Sequence, residues 1–392
     1  MAAPGTIVRD AVRWRMGVEA RALVIVTSVM LAFGLAVMYS ASAYEAMIAN
    51  RSSAFFLVRQ VAGVVLGVIA FAVAAKLDSE KWRKWAWPVL WIALVLMAAT
   101  LLPGISARTY GSKRFLFGPG VQPSEFAKLA IVVWAAMLVD KKGEDGLRRL
   151  SKGVTPFLVV LGAFVVIAVR EPDYSVALHL ALLMGVILYA GGARIGHFVF
   201  LAFASIPGIW AAAQFEPYVK ARIIAFLNPA AAASQDKLYQ LTQSLVAAGS
   251  GGLLGVGFGQ GRQQFGYMSF PYTDFIGSVI AEEWGLVGIA FVTGLFALYG
   301  WLGFRIAAQA RNKFQQLVAI GLTVNILVTA YVHLGVIIGL LPTTGLTLPF
   351  ISYGRSNLLV SLMTTGILVN IGSQRERLVG VNATNPMAVP AR

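Results

Sequence analysis

No cysteine occurs among the 392 residues, which excludes disulfides and thiolate metal sites. Histidine is nearly absent as well, at three residues. His179 and His333 each stand alone in an apolar run, and no metal-ligand spacing joins them. Charge is scarce: Asp, Glu, Lys and Arg make up 12% of the chain, against roughly 25% in a soluble domain. Negative charge is scarcer still, with 17 acids against 32 bases. Nor is there a nucleotide-binding fingerprint. Gly255, Gly257 and Gly259 miss the G-x-G-x-x-G spacing, and no Gly-Lys-Ser/Thr follows.

What is there is hydrophobic: 58% of residues, with a mean hydropathy of +0.74. This composition describes an all-α polytopic membrane protein rather than a soluble one with a large core. Ten apolar runs are long enough to span a bilayer, near 22–42, 56–75, 85–102, 124–139, 154–169, 175–191, 196–214, 284–303, 316–339 and 356–373. Ala41-Ser42-Ala43 imitates a signal-peptidase site, but the run before it exceeds the 7–15 residues of a signal core; it reads as an uncleaved first span. A cytoplasmic N-terminus puts 20 of the 32 Lys and Arg residues on the inside, as the positive-inside rule requires. The expected domains are a cytoplasmic segment 1–21, a ten-helix membrane domain 22–373 with a large outer loop 215–283, and a disordered cytoplasmic tail 374–392. The net charge of +15 follows from this bias and suits anionic lipid head groups; it does not call for nucleic acid.

On this topology the polar motifs collect on the outer face. Gln122-Pro-Ser-Glu-Phe-Ala-Lys128 opens the fourth span. Pro123 suits the first helical turn, and Glu125 and Lys128 share a helix face. Intramembrane charges mark sites, although a structural ion pair is the alternative. Lys113 and Arg114 precede that helix. They can hold a pyrophosphate, or snorkel to head groups. Asp173, in the turn Arg170-Glu-Pro-Asp-Tyr174, is best read as the cap of the sixth span.

Between the seventh and eighth spans, 238–248 reads as an amphipathic or re-entrant helix and 249–261 as glycine-rich architecture. Asp274 then stands at the lip of an apolar stretch, where an acid suits the role of general base; the alternative is a helix N-cap. Ile276 to Glu283 reads as the lead into the eighth span, with Glu282 and Glu283 two turns after Asp274 and open between a cavity and the surface. The irregular segment 341–357, with Ser352 and Arg355, needs protein or a water-filled cavity around its backbone, and so reads as a wall of the same site.

These segments together resemble the SEDS family, the bacterial division and elongation proteins FtsW and RodA. QPSEFAK at 122–128, EPDY at 171–174, QSLVAAGSGGLLGVGFG at 243–259, TDFIGSVIAEEWGLVG at 273–288 and LPTTGLTLPFISYG at 341–354 follow family order. The wording of the last, and the GVGFG run, look like the FtsW branch. The resemblance implies a peptidoglycan glycosyltransferase that polymerises lipid II on the outer face of the cytoplasmic membrane. Its partners would be a class B penicillin-binding protein and other divisome proteins at the septum. It places the family's essential acid on Asp274, its Glu/Lys pair on Glu125 and Lys128, and its basic residue on Arg114. Gln122, Lys113, Ser352 and Arg355 join these as candidate substrate contacts. Departures are Ser269-Phe-Pro-Tyr272 where the family commonly has Pro-Glu-Ala-His, Phe115 for a Trp, Glu171 for a Gln and Arg355 for a Gly. The missing histidine argues against a mechanism with an imidazole beside Asp274.

The expected chemistry is inverting transfer with one carboxylate as base. A divalent cation, Mg or Mn, is compatible with it, although no dedicated cage is visible. The alternatives are a RodA-type elongation polymerase, a lipid II transporter and a scaffold that only activates its partner.

Overall fold

The computed structural model of the chain describes residues 11–102, 106–109, 112–116, 121–227, 236–268 and 270–378. Twelve α-helices run through them: α1 Val18–Ile48, α2 Phe55–Lys76, α3 Ser79–Ala99, α4 Pro123–Leu147, α5 Thr155–Arg170, α6 Tyr174–Ala190, α7 Ile195–Phe215, α8 Pro217–Leu227, α9 Asp236–Ser250, α10 Ile276–Ala308, α11 Lys313–Ile337 and α12 Arg355–Ile371. Each of the ten apolar runs falls on one of these helices. Five segments are long and apolar enough to cross a membrane by length and composition: Val18–Ile48, Phe55–Lys76, Leu150–Arg170, Ile276–Ala308 and Lys313–Ile337. The chain is a multi-pass membrane protein.

Burial sorts the helices. From Pro123 to Val139, α4 is buried on nearly every side, as a helix at the centre of a bundle must be. It packs on α3, α6, α11 and α12. By contrast, α2 exposes Val58, Val65, Leu66, Ile69 and Val73, an apolar outer face suited to lipid. Close approach needs small residues. A Cβ on Gly321 of α11 would meet Val132 of α4 at 2.8 Å and Ile187 of α6 at 3.1 Å.

Within 215–283, α9 falls on the helix expected at 238–248, the first two turns of α10 run from Ile276 into the eighth span as expected, and α8 is an addition to the sequence reading. Two short strand pairs accompany the helices. Strand β1, Ala11–Met16, pairs antiparallel with β4, Ser373–Leu378, and β2, Ser106–Thr109, pairs with β3, Ser112–Leu116. The β1–β4 pair extends order into the segment expected to be a structureless tail. Gly17 N–H donates to Gly372 O (3.2 Å) beside it, so the first and last described residues lie together.

The eighth span begins eight residues earlier than its apolar run and is interrupted at Gly285 (φ 62°, ψ −157°). The break frees backbone groups for the glycine-rich loop. Val256 and Gly257 donate to the carbonyls of Glu282 and Glu283 (3.0 and 3.1 Å), while Leu286 and Val287 donate to Gly252 and Leu253 (2.9 and 3.2 Å). Only glycine fits Gly285. Its φ is left-handed, and a Cβ would meet Leu253 O at 2.6 Å.

Candidate active site

At one end of the bundle a partly open cleft of about 100 Å³ is lined by residues from four separate stretches: Arg114 and Phe115, Gln122, Phe270 to Asp274, and 345–357. Asp274 is its only carboxylate among the described residues; Arg114 and Arg355 line it as well. Asp274 does not cap α10. Phe275 occupies the N-cap position without a side-chain hydrogen bond, which leaves the carboxylate to the cleft.

The segment carrying Asp274 is held from several sides. Ser352 Oγ donates to Thr273 O (2.7 Å) and accepts from Leu348 N–H (2.8 Å). Tyr353 N–H donates to Tyr272 O (2.9 Å). His333 Nε2 accepts from Gly277 N–H (3.3 Å), so Nδ1 carries the proton, which it donates to Leu346 O (2.8 Å). One neutral imidazole thus ties the start of α10 to the irregular 341–354 segment. Gln60 of α2 donates to Ser352 O (3.1 Å), and Ser175 of α6 to Thr344 O (3.0 Å). The backbone of that segment therefore finds protein partners, as membrane depth requires.

Arg114 reaches the cleft from β3 and is mostly buried, with its Nη1 3.7 Å from Asp173 Oδ2. Asp173 Oδ1 accepts from Val176 N–H (3.3 Å) and caps α6. Beside it, Thr100 Oγ1 donates to Glu171. Burial pushes the Glu171 carboxyl up to about 7; the charge of Asp173 adds to the rise, while the Thr100 bond and Arg114 oppose it.

Gly345 (φ 70°) marks where the elements converge. A Cβ there would lie 3.6 Å from Asp274 Oδ2, 3.7 Å from Arg114 Nη1 and 3.9 Å from Arg222 Nη2. Arg222, on α8, is absent from every motif singled out in the sequence. Its charge type was visible, but only the path of α8 shows which base of the 215–283 stretch reaches the cleft.

The structure brings Asp274, Arg114, Gln122 and Arg355 together. Ser352 stands just behind them as a support, buried to 4% exposure. Glu125 and Lys128 do not line the cleft. They form a buried ion pair (Nζ–Oε1 2.8 Å) on α4, with 1% of the lysine side chain exposed. The Lys113 side chain lies outside the described residues. Glu282 and Glu283 face the glycine-rich loop: Glu282 Oε1 accepts from Arg262 N–H (2.8 Å), and Glu283 Oε1 accepts from Ser40 Oγ (2.5 Å) and Gln264 Nε2 (3.1 Å). Among the described residues no group of three His, Asp or Glu could hold a metal ion. One carboxylate facing several guanidinium groups does not fit a resident divalent cation either.

The family model described as "Cell cycle protein", covering FtsW, RodA and SpoVE, matches residues 20–377. The chain belongs to this family. It is 37% identical over 356 residues to the probable peptidoglycan glycosyltransferase FtsW of Trichlorobacter lovleyi, covering 90% of this chain and 92% of that one. It is equally identical, at 37% over 356 residues, to the stage V sporulation protein E of Bacillus subtilis, covering 89% and 95%. Among solved structures, the rod shape determining protein RodA of Thermus thermophilus superposes with a TM-score of 0.65 at 25% identity, covering 90% of this chain and 95% of that one. A peptidoglycan synthase complex gives a TM-score of 0.74 at 24% identity, covering 90% and 97%, and shares the fold.

Proposed function

We propose that the protein is a peptidoglycan glycosyltransferase that polymerises lipid II at the outer face of the cytoplasmic membrane during cell division, through ten spans with both termini inside. The observation that carries the reading is the carboxylate of Asp274, the only one lining the cleft among the described residues, held beside Arg114. Asp274 takes the proton from the acceptor's GlcNAc 4-hydroxyl as that oxygen bonds to C1 of the donor MurNAc. The C1–O bond on the opposite face breaks, and its electron pair leaves with the lipid pyrophosphate. One base and one displacement invert the anomeric centre. Arg114 and Arg355 offset the negative charge growing on the leaving group, which is where fixed cations speed a reaction most. Asp173 keeps Arg114 aimed, Ser352 and His333 keep Asp274 placed, and Glu125 with Lys128 anchors α4 from inside. No step is routed through a divalent cation.

Division rather than elongation is favoured by the relatives named FtsW, more similar in sequence than RodA. A class B penicillin-binding protein and other divisome proteins are the partners this role requires, at the septum. The test is polymerisation of lipid II by the purified protein with a class B partner. Asp274→Asn should bind lipid II and make no polymer. Normal polymer yield from that variant overturns the base assignment. Lipid II crossing vesicle membranes independently of Asp274, with no polymer from the unmodified protein, supports a transporter instead.

A further inference from the structure

The centre of the bundle holds polar groups that the cleft does not use. Helices α4, α6 and α11 pack pairwise on one another, and the close approach of Gly321 to Val132 and Ile187 marks where they meet. One helical turn along α11 from Gly321 stands Asn325, and on α6 stands His179; both are buried. Lys128 of α4 and Asn325 are the polar side chains beside the imidazole, and neither is placed for a direct hydrogen bond to it. Both ring nitrogens of His179, and Asn325 Oδ1, have no hydrogen-bond partner among the described residues. Lys128 gives one N–H to Glu125 Oε1 (2.8 Å), and an ammonium carries three. His333 is the contrast: it is as deeply buried, yet Gly277 N–H and Leu346 O occupy both its nitrogens.

We propose that His179, Asn325 and Lys128 form a buried water site at the junction of α4, α6 and α11, and that His179 acts through this water to hold Lys128 against Glu125. Buried polar groups are bonded to protein or to ordered water, and a bundle surrounded by lipid has no bulk water to make up the shortfall. Water fits the groups present. An uncharged imidazole offers one donor and one acceptor, the amide oxygen accepts, and the ammonium donates; a buried water makes two to four such bonds. Charged ligands fit less well. Glu125 already balances Lys128, so an added anion would stand uncompensated and an added cation would face the ammonium. The inference does not depend on the polymerase reading. It concerns the wall behind the cleft, since α4 starts just after Gln122 and α6 is capped by Asp173.

The experiment uses the full chain in lipid bilayers with isotope-labelled histidine. The chain has three histidines, and His179→Gln and His197→Gln assign their signals by deletion. In solid-state NMR spectra whose magnetisation starts on water, transfer should reach the His179 ring nitrogens well before those of His333, whose partners are protein groups. Transfer to His179 as slow as to His333 overturns the water site. The second readout is thermal stability. His179→Leu should melt below the unmodified protein, because the water and Lys128 lose a partner, and His179→Gln, which keeps a donor and an acceptor, should recover part of the loss. A dry site predicts the opposite sign, since replacing an unpaired buried polar group by an apolar one of similar size is neutral or stabilising. Fast transfer to His179 with an unchanged or raised melting temperature in His179→Leu keeps the water and overturns its hold on Lys128.

Discussion

Asp173 caps α6 with one carboxylate oxygen and holds Arg114 at 3.7 Å with the other. A helix terminus and a candidate substrate cation are thereby fixed by the same side chain. The two tasks separate by mutation. Asparagine caps about as well as aspartate but carries no charge for Arg114. Asp173→Asn should therefore keep thermal stability within about 1 kcal/mol and lose polymerase rate several-fold, whereas Asp173→Ala should lose both. Equal losses of stability and rate in the two variants would show that the cap is all that matters.

Glu171 gives the same turn a pH dependence. The buried carboxyl is pushed up to about 7 from 4.5, so the folded chain holds a proton that the unfolded chain releases. Stability from this group is present below about 4.5 and is lost as pH rises through about 7. Glu171→Gln, which mimics the protonated acid, should flatten the fall in melting temperature across that window. An unchanged slope would mean the group titrates elsewhere.

Several of these relationships were legible in the sequence and others were not. The ten apolar runs, each of which falls on a helix, follow from hydropathy, because lipid enforces it, and the expected topology put QPSE, TDF and LPTTG on one side, as their meeting at one cleft requires. Asp173 as a cap was readable from its place before an apolar run. The start of α10 at Ile276 was readable too, although its first turns carry two acids and pack against the glycine-rich loop; the break at Gly285 was not. The strand pairing of 11–16 with 373–378 is non-local and has no periodic signal. Arg222 resembled any other interfacial base, since nothing local to α8 records that Gly345 is across from it.

The loop that hides those two acids should be structurally demanding. Glu283 accepts from Ser40 of α1 and from Gln264, and Glu282 from two backbone N–H groups. Removing one partner of a buried bond leaves the other unsatisfied, at about 1–3 kcal/mol. Ser40→Ala and Glu282→Ala should each lower the melting temperature in detergent, with lost activity tracking lost fold. A stable but inactive Glu282→Ala protein would instead place that acid in the chemistry.

Glu125 and Lys128 make a sharper case, because their ion pair is buried. Breaking it from one side strands a charge, at about 3–5 kcal/mol, whereas replacing both partners by apolar groups is often neutral. Lys128→Met should therefore destabilise strongly, and Glu125→Leu combined with Lys128→Met should recover most of the stability. Activity that returns with stability identifies an anchor for α4. A stable double variant without polymerase activity would show that the pair meets the substrate.

Gly345 offers the test that best separates room for a ligand from room for the fold. An alanine methyl there would sit 3.6–3.9 Å from Asp274, Arg114 and Arg222, ordinary contact distances that require nothing to move. The backbone cost is that of a left-handed residue with a Cβ, about 1–2 kcal/mol, so Gly345→Ala should fold with a modestly lowered melting temperature. The methyl nonetheless fills the point on which the three charged groups converge. Polymerisation should fall by more than tenfold, the scale set by about 1.4 kcal/mol of lost binding, and polyprenyl pyrophosphate affinity should fall with it. A Gly345→Ala protein that polymerises normally would show that the substrate passes elsewhere, and the convergence of Asp274, Arg114 and Arg222 would then have to be explained by packing alone.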